Sequence, residues 1–190
     1  MNSFIFFIVV WSFSLNSQAN PAYWTMNSQS MFPFLKKGEH FIVTTNQNDF
    51  QKGQVIAYKT EIEGEKMTKI ARIVSTADEC IKVHNQKIQL KNKLELYKYY
   101  DSQVSYAKQL PQSFQFCQWQ EFREALPQTI YPILICMNSN IGKEKKILRE
   151  SCQKKDEYYL LGDNRGFSAD SRIHGKVHKK NIIGLVKKIK

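Results

Sequence analysis

The chain has 190 residues, 42% hydrophobic and 13% aromatic, with 8 Gly and 5 Pro, which excludes wholesale disorder and a collagen-like or linker-like chain. The formal net charge of +11 rests on 28 basic residues against 17 acidic ones, and only five of the basic residues are Arg. An excess of Lys suits an anionic membrane surface better than nucleic acid, where bidentate Arg is the usual reading tool.

No apolar run reaches the roughly 18 residues of a membrane span, so a multi-span protein is excluded. Residues 3–15 are apolar, about the length of a signal-peptide core, and Ser17-Gln18-Ala19 follows with small residues at the positions a cleavage site uses. No Lys or Arg precedes the run, so the positive lead-in of a signal peptide is missing. Residues 1–19 therefore read as a cleaved export signal, a short membrane anchor, or a buried piece of the fold. The first two put the body outside the cytoplasm, either membrane-associated or released as a periplasmic or secreted protein.

Strands are expected at Phe41–Val43, Gln54–Tyr58 and Met67–Val74, each after a turn signal or polar stretch. Ile81–Val83 and Lys87–Leu90 flank His84-Asn85-Gln86 and read as a hairpin. Residues 91–156 are less regular, with an apolar run at Ile130–Met137 broken by Pro132. Strand character returns at Glu157–Leu161, ending on Gly162-Asp163, and again at Ile182–Val186. The expectation is a mainly β fold. The strand-rich parts, residues 22–75 and 157–190, flank an inserted variable lobe at 76–156.

The four cysteines, Cys80, Cys117, Cys136 and Cys152, lack the close pairing of a zinc site. In an oxidising compartment they would form one or two disulfides, with three full connectivities open; buried free thiols are the alternative. Cys136 and Cys152 bracket a Lys-rich stretch and read as the ends of a stapled hairpin. No metal and no organic cofactor is expected.

Two segments carry chemistry. In Asn27–Leu35, Pro33 pins the chain just after Ser30-Met31, a place where a serine is held exposed as a nucleophile, although such a tetrapeptide is more often a turn. In Gly162–Arg172, two Asp, two Arg, one Asn and two Ser follow directly on an apolar strand. Such density builds either a solvated loop or a rigid hydrogen-bonded support for a site.

Gly162–Arg172 (GDNRGFSADSR) resembles the last signature of type I signal peptidases, with every fixed position present. Asn27–Val43 resembles the first signature, with Phe34 in place of the usual Thr and Glu39 in place of Asp. Lys52–Tyr58 resembles the family's second strand, and Asn181–Gly184 its closing strand. The resemblance implies a serine endopeptidase that uses a lysine base and cleaves signal peptides from exported preproteins. It implies Ser30 as nucleophile, Ser28 in the oxyanion hole and Ser168 orienting the base. Asp163, Asp170, Arg172 and Arg72 would form the supporting network. A lysine serves as base only when neutral, so burial must depress its pKa.

One position departs. The ungapped match to the family's lysine signature puts Ala71 where the lysine belongs, and the Gly and Pro of the following turn are also absent. Lys69 lies two residues earlier on the same strand face, roughly 7 Å away. It is the candidate general base; His174, just past the signature, is another. With no base the chain would be a catalytically impaired relative with a peptide-binding or regulatory role, and a specialised peptidase with one dedicated substrate is a further alternative. The Lys-rich tail from Lys176 to Lys190 would rest on anionic headgroups or guard a strand edge. Tyr23, Trp24, Phe32 and Phe34 would line a groove, touch a bilayer or pack in the core.

Overall fold

A computed structural model describes residues 22–84, 86–90, 99–101, 106–114, 116–126, 128–138 and 150–189. Residues 1–19, the expected signal or anchor, lie outside these. Among the described residues no helix is long and apolar enough to cross a membrane.

The fold is mainly β. Strands β1 (Ala22–Thr25), β2 (His40–Thr44), β3 (Val55–Ile62), β4 (Glu65–Ser75), β5 (Cys80–His84) and β6 (Lys87–Leu90) come first. Next are β7 (Tyr99–Asp101), β8 (Trp119–Leu126), β9 (Thr129–Cys136), β10 (Ser151–Cys152) and β11 (Glu157–Leu161). One helical turn, α1 (Ser171–His174), precedes β12 (Val177–His178) and β13 (Ile182–Lys188). The main sheet has seven strands in the order β1-β2-β13-β3-β4-β11-β12, and two three-stranded sheets, β10-β5-β6 and β7-β8-β9, accompany it.

The long β3–β4 hairpin turns on Glu63 (φ 52°) and Gly64 (φ 84°). Two successive left-handed residues match the twist of the strands they join. The base of the hairpin is central and buried, whereas its tip is exposed. One face of the sheet packs Met31, Leu35, Phe41, Val43, Val55, Ala57 and Ile70 together. The opposite face packs Phe50, Ile56, Tyr58, Ala71, Ile73, Tyr158 and Leu160.

Two sequence expectations change, and the basic tail gains detail. Pro132 does not break the apolar run, because β9 passes straight through it, with Pro132 opposite Arg123. The N–H of Leu134 points away from β8, to the carbonyl of Asp163 at 2.9 Å. Pro132, two residues earlier, faces the same side, so its missing N–H costs the β8–β9 ladder nothing. The cysteines pair as Cys80–Cys152 and Cys117–Cys136, with no free thiol. The Cys136–Cys152 staple is thus replaced by a β5–β10 bridge and a bridge at the end of β8–β9, because those strand ends are the neighbours. The basic tail is partly neutralised, since Lys176 pairs with Glu157 at 2.6 Å and Lys188 with Glu39 at 3.0 Å.

Candidate active site

The segment after β1 carries Ser28 and Ser30 around a tight turn. Ser28 Oγ lies 3.1 Å from Ser30 Oγ and accepts from the Ser30 N–H at 3.4 Å. Met31 and Phe32, immediately after, are fully buried and anchor the turn in the core. Phe32 packs with Leu110 and Leu134 rather than lining a groove. Trp24 packs on Phe41, whereas Tyr23 is exposed.

The turn is fixed from the other side by the loop after β11. The Asn164 N–H donates to the Ser30 carbonyl at 3.1 Å. Gly162 is required here, because a Cβ at that position would collide with both Ser168 Oγ and the Ser30 carbonyl oxygen. The absent side chain is what lets Ser168 close on the Ser30 turn.

Lys69 approaches from β4. Together with Ser28, Ser30 and Ser168 it lines a shallow cleft of about 320 Å³, whose apolar walls include Met26, Met67, Ile70 and Phe167. Burial depresses the Lys69 pKa below its usual 10.5, and the opposing charge of Asp170 limits the effect. Ala71 is buried in the core cluster of the same sheet face and does not line this cleft. His174, the other candidate base, is not among the cleft-lining residues either; its Nε2 lies 3.0 Å from the Tyr58 hydroxyl. Two further depressions contain neither serine of the turn: one of about 490 Å³, and one of about 620 Å³ that adjoins the cleft at Met67 and Thr68.

Behind the cleft lies a buried polar lattice. Arg72 grips Asp163 through two bonds of 2.8 and 2.6 Å and donates to the Gly53 carbonyl. Arg172 grips Asp170 in the same way at 2.8 Å on both prongs, while also bonding the carbonyls of Arg165 and Ser168. Asp170 further accepts from the Gly162 N–H and caps α1. Burial pushes the Asp170 carboxyl up, but Arg172 and these N–H groups together hold it below its ordinary value. Ser171 bonds the Leu160 N–H, tying the loop back to its own strand.

The signal peptidase model, peptidase S26, matches residues 1–189. The chain belongs to the signal peptidase family. A solved signal peptidase I from Enterococcus faecalis is 15% identical with a TM-score of 0.38, and the match covers 74% of this chain and 98% of that one. No curated protein matches.

In this family member the signature residues Ser28, Ser30 and Ser168 line the cleft, with Arg72, Asp163, Asp170 and Arg172 in the lattice beneath it; Ala71, on the signature's lysine position, does not reach the cleft, and Lys69, the off-signature candidate, does. The sequence reading missed two members of the lattice, Glu124 and Tyr131. Arg165 is fully buried and takes both oxygens of Glu124, at 2.5 and 2.8 Å. Tyr131 donates its hydroxyl to the same carboxylate and lays its ring under the Arg72 guanidinium, 4.0 Å away. Glu124 lies on β8 and Tyr131 on β9, so the segment read as a variable lobe contributes to the support of the site. The signal available was Glu124 itself, an acid at an inward position of a strand. Phe167, at a variable signature position, likewise meets Phe114, Phe116 and Trp119 from that segment.

Proposed function

We propose that the chain is a serine endopeptidase that cleaves signal peptides from exported preproteins, with Ser30 as nucleophile and Lys69 as the displaced general base. The observation that carries this reading is the convergence of Ser28, Ser30, Lys69 and Ser168 on one cleft. The neutral Lys69 amine takes the Ser30 hydroxyl proton as Oγ attacks the scissile carbonyl. The Ser30 N–H and the Ser28 hydroxyl stabilise the oxyanion as its charge develops. The Lys69 ammonium then protonates the leaving amine, and the neutral amine activates a water to hydrolyse the acyl-enzyme. Ser168 orients the lysine.

The substrate enters as an extended strand. Beyond Arg72 toward the hairpin tip, β4 pairs only with β3 among the described residues, since its contact with β11 begins at Arg72. That open edge offers backbone groups to a peptide. The small cleft suits small side chains next to the scissile bond, as the family preference for Ala requires. Two disulfides fit an oxidising, extracytoplasmic compartment. The Lys excess fits work at an anionic membrane surface.

The test is cleavage of an Ala-x-Ala preprotein by the full chain in detergent, beside Ser30→Ala, Lys69→Ala and Ala71→Lys. Loss of cleavage in the first two supports the reading. No cleavage until Ala71→Lys is introduced would instead make the native chain a relative without a base, acting by binding peptides.

A further inference from the structure

Lys69 has an unusual neighbour. In the β3–β4 ladder Tyr58 lies directly opposite it, on the same sheet face. Tyr58 is fully buried. Its hydroxyl meets His174 Nε2 at 3.0 Å, and the two rings lie 5.6 Å apart. His174 is itself fixed, since its backbone N–H bonds Asp170 and its Nδ1 lies 2.9 Å from the Gly175 carbonyl.

These contacts assign the tautomer. A carbonyl only accepts, so Nδ1 carries the proton, Nε2 is the lone-pair nitrogen of a neutral imidazole, and Tyr58 donates to it. Ala71 lies on the same face as Tyr58 and belongs to the same packed cluster. Where the family signature places the lysine, this chain has a methyl group beside a Tyr–His pair.

We infer that Tyr58 and His174 are positioning residues for Lys69: a neutral, hydrogen-bonded wall that fills the space beside Ala71 and holds the amine on the Ser30 side of the cleft. This rests on the reading of Lys69 as the base. The charged and titratable groups around the pair are Lys69 on β4 and Asp170 ahead of α1. Burial lowers the His174 pKa, Asp170 opposes this and the Lys69 charge adds to it, in keeping with an imidazole that stays neutral while the lysine works. Protonating His174 would turn Nε2 into a donor, force Tyr58 to give up its acceptor and set a second cation near Lys69.

The experiment uses Tyr58→Phe, His174→Ala and His174→Gln in the full chain. Gln keeps an acceptor for Tyr58. Removing the wall hydrates and misaligns the amine, so Tyr58→Phe and His174→Ala should lower kcat at neutral pH by roughly 10- to 100-fold with KM little changed. The rising limb of the kcat profile should move to higher pH, with rate recovered there and in His174→Gln. NMR titration of the Lys69 ε-carbon, made in a Ser30→Ala background, reads the same displacement without activity. A Lys69 titration and rising limb unmoved in both variants would overturn the proposal, as would a loss confined to KM. If the native chain cleaves nothing yet the Lys69 titration moves, the wall stands and the peptidase reading falls.

Discussion

Glu124→Ala tests whether the segment from β8 and β9 holds the site together. Glu124 and Arg165 are both entirely buried and joined by two short bonds. The substitution removes the carboxylate that faces the guanidinium and takes the acceptor from the Tyr131 hydroxyl. Arg165 keeps its bonds to the Gly162 and Gln86 carbonyls, which cannot balance its charge. Removing one partner of a buried ion pair costs about 3–5 kcal/mol. In a domain of this size each kcal/mol moves Tm by about 2–4 °C, so the midpoint should fall by about 6–20 °C. Thermal unfolding followed by circular dichroism measures it, with Glu124→Leu combined with Arg165→Met as the companion. The double variant should regain most of the loss, because an apolar pair replaces a buried ion pair at little cost. A fall of under about 2 °C in Glu124→Ala, below what even 1 kcal/mol would give, would refute the reasoning. So would a double variant no more stable than the single one.

Further outcomes concern the cleft and the bridges. Ser28→Ala should lower kcat about 100- to 1,000-fold with KM nearly constant, the signature of a donor that acts only in the transition state. The rate should rise with pH through a Lys69 pKa that lies below the usual 10.5. The same depression means the unfolded chain binds a proton more readily, so the native protein gains stability as pH climbs through the folded pKa toward the unfolded value. Lys69→Met should lack that gain, be inactive and unfold at a higher temperature at neutral pH, as paired melts across pH would record. Cys80→Ser with Cys152→Ser opens a loop closed across 72 residues, and should cost about 4 kcal/mol in chemical denaturation.

The candidate site was legible in the sequence where its residues are adjacent. Asp163, Asp170 and Arg172 fall within one eleven-residue stretch, and the two-residue period of β4 was enough to bring Lys69 forward once Ala71 stood in the lysine's place. What stayed hidden depends on distant pairings. Glu124 meets Arg165 across 41 residues and Tyr58 meets His174 across 116; neither pair leaves a local trace, and an aromatic in a strand reads as core. The cysteine spacing left three connectivities open because strand neighbours, not sequence neighbours, decide which thiols meet. Pro132 misled for a related reason. A proline argues against a strand only if both edges of that strand are paired with others, and which edge is free is a property of the sheet.

The seating of the Ser30 turn has a consequence in time. Ser28, Ser30 and Lys69 all lie in the first half of the chain, but the groups that fix them come last: Asn164 on the Ser30 carbonyl, Ser168 over Gly162, Asp163 on Arg72. A ribosome therefore makes Ser30 and Lys69 long before it makes the frame that aligns them. Until Asp163, Asn164 and Ser168 have emerged, the growing chain carries a serine and a lysine with no fixed relation. On the proposed reading, a polypeptide interrupted before Gly162 holds the cleft residues without their alignment.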